Sequence, residues 1–290
     1  DTSGSPATVS AAGVGGGVVI GSSVNTRPMM IGDGGAVAGV NLSSAELAQI
    51  SENARITFGD ATQTGDITFF KATPATTAGA AIYAIQDTAT GGKIVLDDDF
   101  AVAAGTALAG GSSVINLTAG TAGITAVSDS NTAAEIATTG ATVTLNTAGV
   151  IGTSAKRIQF ANNATTTEQK VVIGSVTQPT TAVYLDGLNN LTLGNISTNT
   201  SNANVNVTAL GGINVNGTIT SGTGTIYLGA DRTAADLAGD GTGTLALMAS
   251  SSVTSANTTA SAISLRGADI TIDTSGSPAT VSAAGVGGGV

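Results

Sequence analysis

The sequence predicts an all-β chain wound as a right-handed parallel β-helix, a β-solenoid with short helical loops. Three observations lead there. Short segments of alternating β-branched and polar residues recur from end to end, separated by clusters of Gly, Asn, Asp, Ser and Thr; these are the patterns of strands and turns. Aromatic residues are 3 % of the chain, and Trp and Cys are absent, so the rings and the buried pair that mark an immunoglobulin-like sandwich are missing. Small residues and Asn recur at short intervals, as expected where like side chains stack from coil to coil.

Composition narrows the function as well as the fold. Charged residues are 10 % of the 290, well below the ~25 % of ordinary domains. Hydrophobic residues nevertheless reach 41 %, too many for a disordered tract of low hydrophobicity and high charge. The apolar side chains are small and often β-branched, suited to a thin, regular core. With no Cys there is neither disulfide stapling nor a thiolate metal site. With no His the commonest general base and transition-metal ligand are gone. The net charge is −10 and the nine Lys and Arg are scattered, Lys156–Arg157 excepted. No basic patch can neutralise phosphates, which argues against nucleic acid as a partner. No apolar run approaches the ~20 residues of a membrane span.

The first eighteen residues, DTSGSPATVSAAGVGGGV at Asp1–Val18, return letter for letter at Asp273–Val290. Residues 1–272 therefore read as one full tandem repeat of solenoid coils, and 273–290 as the start of the next. "ADITIDTSGSPATVS" (Ala268–Ser282) passes through the junction without a linker, so the seam between repeats is expected to be continuous.

Taken along the chain, strands are expected at RITF (Arg55–Phe58), DITFF (Asp66–Phe70), IYAI (Ile82–Ile85), KIVL (Lys93–Leu96), SVINLT (Ser113–Thr118) and TVTLN (Thr142–Asn146). They continue at RIQFA (Arg157–Ala161), KVVIG (Lys170–Gly174), AVYLD (Ala182–Asp186), NLTLG (Asn190–Gly194), NVNVT (Asn204–Thr208) and GINVNG (Gly212–Gly217). The last are TIYLG (Thr225–Gly229), TLALM (Thr244–Met248) and AISLRGADITID (Ala262–Asp273). About 18–20 such strands in coils of roughly 20–30 residues make about 10 coils per repeat. At about 4.8 Å per coil the repeat is a rod of roughly 50 Å, with open strand edges only at its two ends. The Asn-rich stretch Asn189–Gly217 suggests Asn stacked on Asn. Two segments break the rhythm. Asn41–Ala54 carries a capping box, Ser43 with Glu46, and Leu42, Leu47 and Ile50 could share one helical face. Gly229–Gly241 reads as a single helical turn.

The stretch Asn25–Phe69 brings a family into view. It contains Val40-Asn41-Leu42-Ser43, Ala45-Glu46-Leu47, Ile56-Thr57-Phe58-Gly59-Asp60 and Gly65-Asp66-Ile67-Thr68. This order of apolar strand, helical corner, strand ending in Gly-Asp and Gly-x-Ile-Thr strand resembles a module of the giant filamentous-haemagglutinin-like repeat adhesins of two-partner secretion. Gly211–Arg232 also looks like their coils. Good matches cover about a third of the chain. The resemblance implies a secreted, surface-exposed bacterial β-helix, extracellular or at the cell surface. It implies no particular receptor.

Residues that could carry chemistry are few. Asp97-Asp98-Asp99 could supply paired carboxylates of the kind that solenoid polysaccharide enzymes use, with Asp97 and Asp99 on one face of a strand. No clustered basic partner lies nearby in the sequence beyond Lys93, and a solvated acidic turn is the preferred reading of the triplet. Asp97, Asp99 and Asp240 are the candidate calcium ligands, as hard oxygen donors near Gly-Asp turns, but the Gly-Gly-x-Gly-x-Asp tandem of calcium solenoids is absent and turn chemistry explains these Asp residues without metal. Gly13–Ser22 is Gly-rich but lacks the Lys-Ser/Thr of a phosphate loop. No catalytic or cofactor-binding residue is assigned, and no cofactor is expected beyond that calcium candidate. The expected function is that of a structural segment of a very long secreted or cell-surface fibrous protein, a stiff adhesin stalk or surface filament and not an enzyme. The alternatives are a self-assembling surface layer or sheath subunit and, behind it, a solenoid polysaccharide-active enzyme. The expected partners are neighbouring repeats of the same chain; lateral copies and a host-cell or surface glycan receptor are the further candidates.

Overall fold

A computed structural model describes residues 7–11, 15–52, 54–74, 80–100, 104–129, 133–139, 141–162, 170–173, 181–198, 202–233, 237–283 and 289–290. Among them the chain forms a parallel β-solenoid. Its strands make two 13-stranded sheets and one two-stranded pair, and every pairing between these strands is parallel. One sheet runs in strict sequence order along its main path, from Gly17–Ile20 at one end to Asp269–Ile272 at the other. Each coil lies on the one before it, as alternating short strands and turns with no room for helical crossovers require.

The core is a set of aliphatic columns. One runs Val18, Ile56, Ile82, Ile115, Val143, Val171, Leu193, Val215, Leu247, Ile272, each paired in register with the next. The facing sheet carries Met29, Ile67, Ile94, Ile124, Ile151, Val183, Val205, Ile226 and Ile263 in the same way. The ten rungs of the first column, at about 4.8 Å each, give a rod of about 48 Å. Coil length varies from 21 residues (Val205 to Ile226) to 38 (Val18 to Ile56), because loops outside the ladder change length while the rungs stay fixed. Large rings are confined to a few places: Phe58 and Phe69 meet edge to face at 5.7 Å.

The corners of the coil move along the rod. Val150–Ile151 and Ile158–Asn162 are separate strands, and the next coil spans both with one strand, Ala182–Gly187. Between the two, Gly152 turns the corner with φ +63°. A Cβ there would lie 2.5 Å from the Tyr184 carbonyl, so no other residue fits. Leu191–Thr198 is spanned in the opposite sense, by Ile213–Val215 and Thr218–Ser221 above it.

Two expectations are corrected, and a third falls outside the described residues. The helix within Asn41–Ala54 is a single turn, Ser44–Leu47, and Ile50 lies in a strand, Ile50–Glu52. The capping box is present: the Ser43 N–H donates to Glu46 Oε2 at 2.8 Å and the Glu46 N–H to Ser43 Oγ at 3.3 Å. With Leu47 buried beneath it, Ser43→Ala should cost about 1 kcal/mol of stability in thermal unfolding. The single turn expected within Gly229–Gly241 falls on Ala234–Asp236, which lie outside the described residues; on either side of them Arg232 and Ala238 form an antiparallel bridge. Among the described residues of Asn189–Gly217, the asparagines do not stack on one another. Instead Asn190, Asn195 and Asn204 each accept, through Oδ1, a backbone N–H of the next coil, from Gly212, Thr218 and Thr225.

Candidate functional site

The strands Ile136–Thr138, Ile158–Asn162, Ala182–Gly187 and Val205–Ala209 stack in one sheet. Ile158 and Phe160 face the core, so alternation sends Gln159 to the outer side. Gln159 is nevertheless fully buried, as are Glu135, Asp186 and Thr208. These four form a polar column parallel to the apolar ones. The Gln159 N–H donates to Glu135 Oε2 at 2.6 Å. Gln159 Nε2 donates to Asp186 Oδ2 at 3.1 Å, and Thr208 Oγ1 to Asp186 Oδ1 at 2.7 Å.

Further charges close on the column. Asp98, also fully buried, and half-buried Asp129 act on Glu135, and Asp129 acts on Asp186. Among the described residues, the cation at this column is Arg157, 5 % exposed. Its Nη1 donates to Asn206 Oδ1 at 2.9 Å and to the Leu185 carbonyl at 3.3 Å, and its guanidinium lies 5.9 Å from the centre of the Tyr184 ring. Four carboxyl groups against one guanidinium, out of water, cannot all be ionised. Burial, then the Asp98 charge, pushes Glu135 up to about 9. Burial pushes Asp186 up to about 6 against its two hydrogen bonds and Arg157. Burial likewise raises Asp129, opposed by Arg157. At neutral pH Glu135 is therefore a carboxylic acid. Its Oε2 accepts the Gln159 N–H, and among the described residues its Oε1 has no hydrogen-bond partner. The arrangement can hold protons and bind one coil to the next, with Glu135, Gln159 and Asp186 all fully buried.

The three calcium candidates lie apart from one another or turn inward. Asp97 is buried and its Oδ1 accepts the Asp99 N–H at 3.1 Å, a local turn; burial raises its pKa and the Asp99 charge adds to that. Asp99 is exposed. Asp240 lies in a loop several coils away, where its Oδ1 accepts from Thr242 N–H and Oγ1; these bonds hold its carboxyl below the usual range. Asp60 and Asp273 make the same Asp-x-Thr/Ser turn. Among the described residues, no three acidic side chains are placed to hold a metal ion.

Sequence reasoning missed Glu135, Gln159 and Asp186. The available signal was a lone carboxylate inside an apolar run, AAEIA and VYLDGL, in a chain that spends few charges. All three tyrosines, each half-buried, carry an arginine: Arg55 over Tyr83 at 5.5 Å, buried Arg157 over Tyr184, and Arg266 over Tyr227 at 5.8 Å. No family model, curated protein or solved structure matches this chain.

Proposed function

We propose that this chain is a structural segment of a very long secreted or cell-surface fibrous protein, in which stacked coils serve as a stiff stalk or filament. The observation that supports it most is the column from Val18 to Ile272: ten aliphatic rungs without a gap, ending at open edges on both sides. Backbone hydrogen bonds of parallel coils run along such a rod, so tension along its axis is shared by every strand of a rung. The buried polar column adds cross-links between coils and leaves the chemistry of the chain inside it. Likeness of Asn25–Phe69 to filamentous-haemagglutinin-like modules supports the extracellular setting.

Electron microscopy of the intact natural chain tests this reading. The expected image is a filament of constant width whose length grows by about 48 Å for each 272-residue repeat. A string of separate globules joined by flexible linkers would contradict it.

A further inference from the structure

The duplicated segment occupies two environments, and they are complementary. In the first copy, Val9–Ala11 pairs with Ile50–Glu52, in the coil that follows it. In the second, Val281–Ala283 is the same tripeptide, and it pairs with Val253–Ser255, in the coil that precedes it. Gly17 of the first copy pairs with Arg55 above. Its counterpart Gly289 accepts the Ile263 N–H below, at 3.1 Å. A strand in a parallel sheet has two edges. The first copy uses only the edge facing the later coils, and the second uses only the edge facing the earlier ones.

We infer that this segment is a joint, in which one copy of the eighteen residues holds both sets of contacts at once and so docks the end of one repeat onto the start of a second copy of this chain. This rests on the rod reading above and names the partner of the rod's ends. The register closes: Val253, Val281 and the next repeat's Ile50 fall in one column, and Ile263, Val290 and the next repeat's Ile56 in another. The edges left over are Asp269–Ile272 at one end and Val40–Leu42 at the other, and the joint brings them face to face. Both ends are apolar where the core has no lid. Ile270 and Ile272 continue inward columns yet are 43 % and 45 % exposed. At the opposite end a cavity of about 460 Å³ opens between Val9, Val18, Ile20, Leu42 and Ile50. Unpaired parallel edges of this kind are templates for another chain, and here the matching sequence is the chain's own.

The test uses the full chain, which has no native Cys. Ser51 and Ser282 are exposed and lie at opposite ends, about 38 Å apart along the axis. In the joint, Ser282 takes the place of Ser10 beside Ser51 of the next molecule, within reach of a disulfide. Ser51→Cys/Ser282→Cys, oxidised at high protein concentration, is expected to give a reducible ladder of trimers and longer species. Ser282→Cys alone should stop at dimers. Ser10→Cys/Ser51→Cys should close within one chain, and by sedimentation it should associate less than the unaltered protein. Monomers and dimers only from the double variant, with the native circular dichroism retained, would overturn the joint while leaving the rod intact. A loss of rod shape in micrographs would overturn the reading beneath it.

Discussion

Replacing Val207 by Asp is expected to cost about 4 kcal/mol, the largest effect of any single change considered. Val207 is fully buried and pairs in register with Leu185 below and Leu228 above. A carboxylate there has no donor within the aliphatic column, so it must either stay protonated or force the coil open. Coils touch only their neighbours, so the damage spreads by separating the stack at that rung. The contrast is Val172, next to buried Val171 but on the outer side of its strand, opposite Thr144. Val172→Asp should cost less than about 1 kcal/mol. Thermal unfolding of the two variants compares them directly. An unchanged melting temperature for Val207→Asp would remove Val207 from the core.

The second large effect is a dependence of stability on pH that runs opposite to the usual acidic protein. Glu135 is held at about 9 against an ordinary 4.5, and Asp186 at about 6 against 3.8. Both native values are raised, so the folded state keeps protons that the unfolded chain releases. Their stabilising contribution is complete below the ordinary values and is lost as pH rises, through about 6 for Asp186 and about 9 for Glu135. Stability should therefore decline between about pH 4.5 and pH 9. Exposed carboxylates such as Asp60 and Asp240 are lowered by their turn hydrogen bonds, so they act the other way, at more acid pH. Glu135→Gln keeps an acceptor for the Gln159 N–H and cannot ionise. It should raise stability at pH 8, where the unfolded chain has released the proton that the folded state keeps, and change little at pH 4.5. A difference that is equal at both pH values would mean that Glu135 is not the titrating group.

The apolar ladders were legible in the sequence, because a half-buried strand writes its period into the chain. KIVL, TVTLN and IYAI alternate, and all three are strands with inward Ile, Val or Leu. Met29–Gly32 and Ile136–Thr138 were not legible. Each is buried on both faces, so no polar residue alternates with the apolar ones. The two-residue strand Val150–Ile151 is too short to show a period. The helix was visible through Ser43 and Glu46, but not its length: the cap marks where a helix starts, and burial of Leu47 and Ile50 on the rod end decided where it stopped. The polar column was hidden for a different reason. Glu135, Gln159, Asp186 and Thr208 are 22–27 residues apart, and coil lengths vary, so nothing local announces that they share one column. The adjacent acidic triplet, Asp97 to Asp99, drew attention because its members are neighbours in the chain. In the fold the middle one, Asp98, turns toward Glu135.

The proposed stalk and joint, and the buried polar column, all depend on coils stacked in this register. Methyl-resolved NMR of the chain with labelled Leu and Val measures it. Val207 is expected to show close contacts with Leu185 and Leu228, and Leu193 with Val171 and Val215. Contacts from Val207 to other side chains, with none to these partners 21 and 22 residues away, would contradict the stacked solenoid.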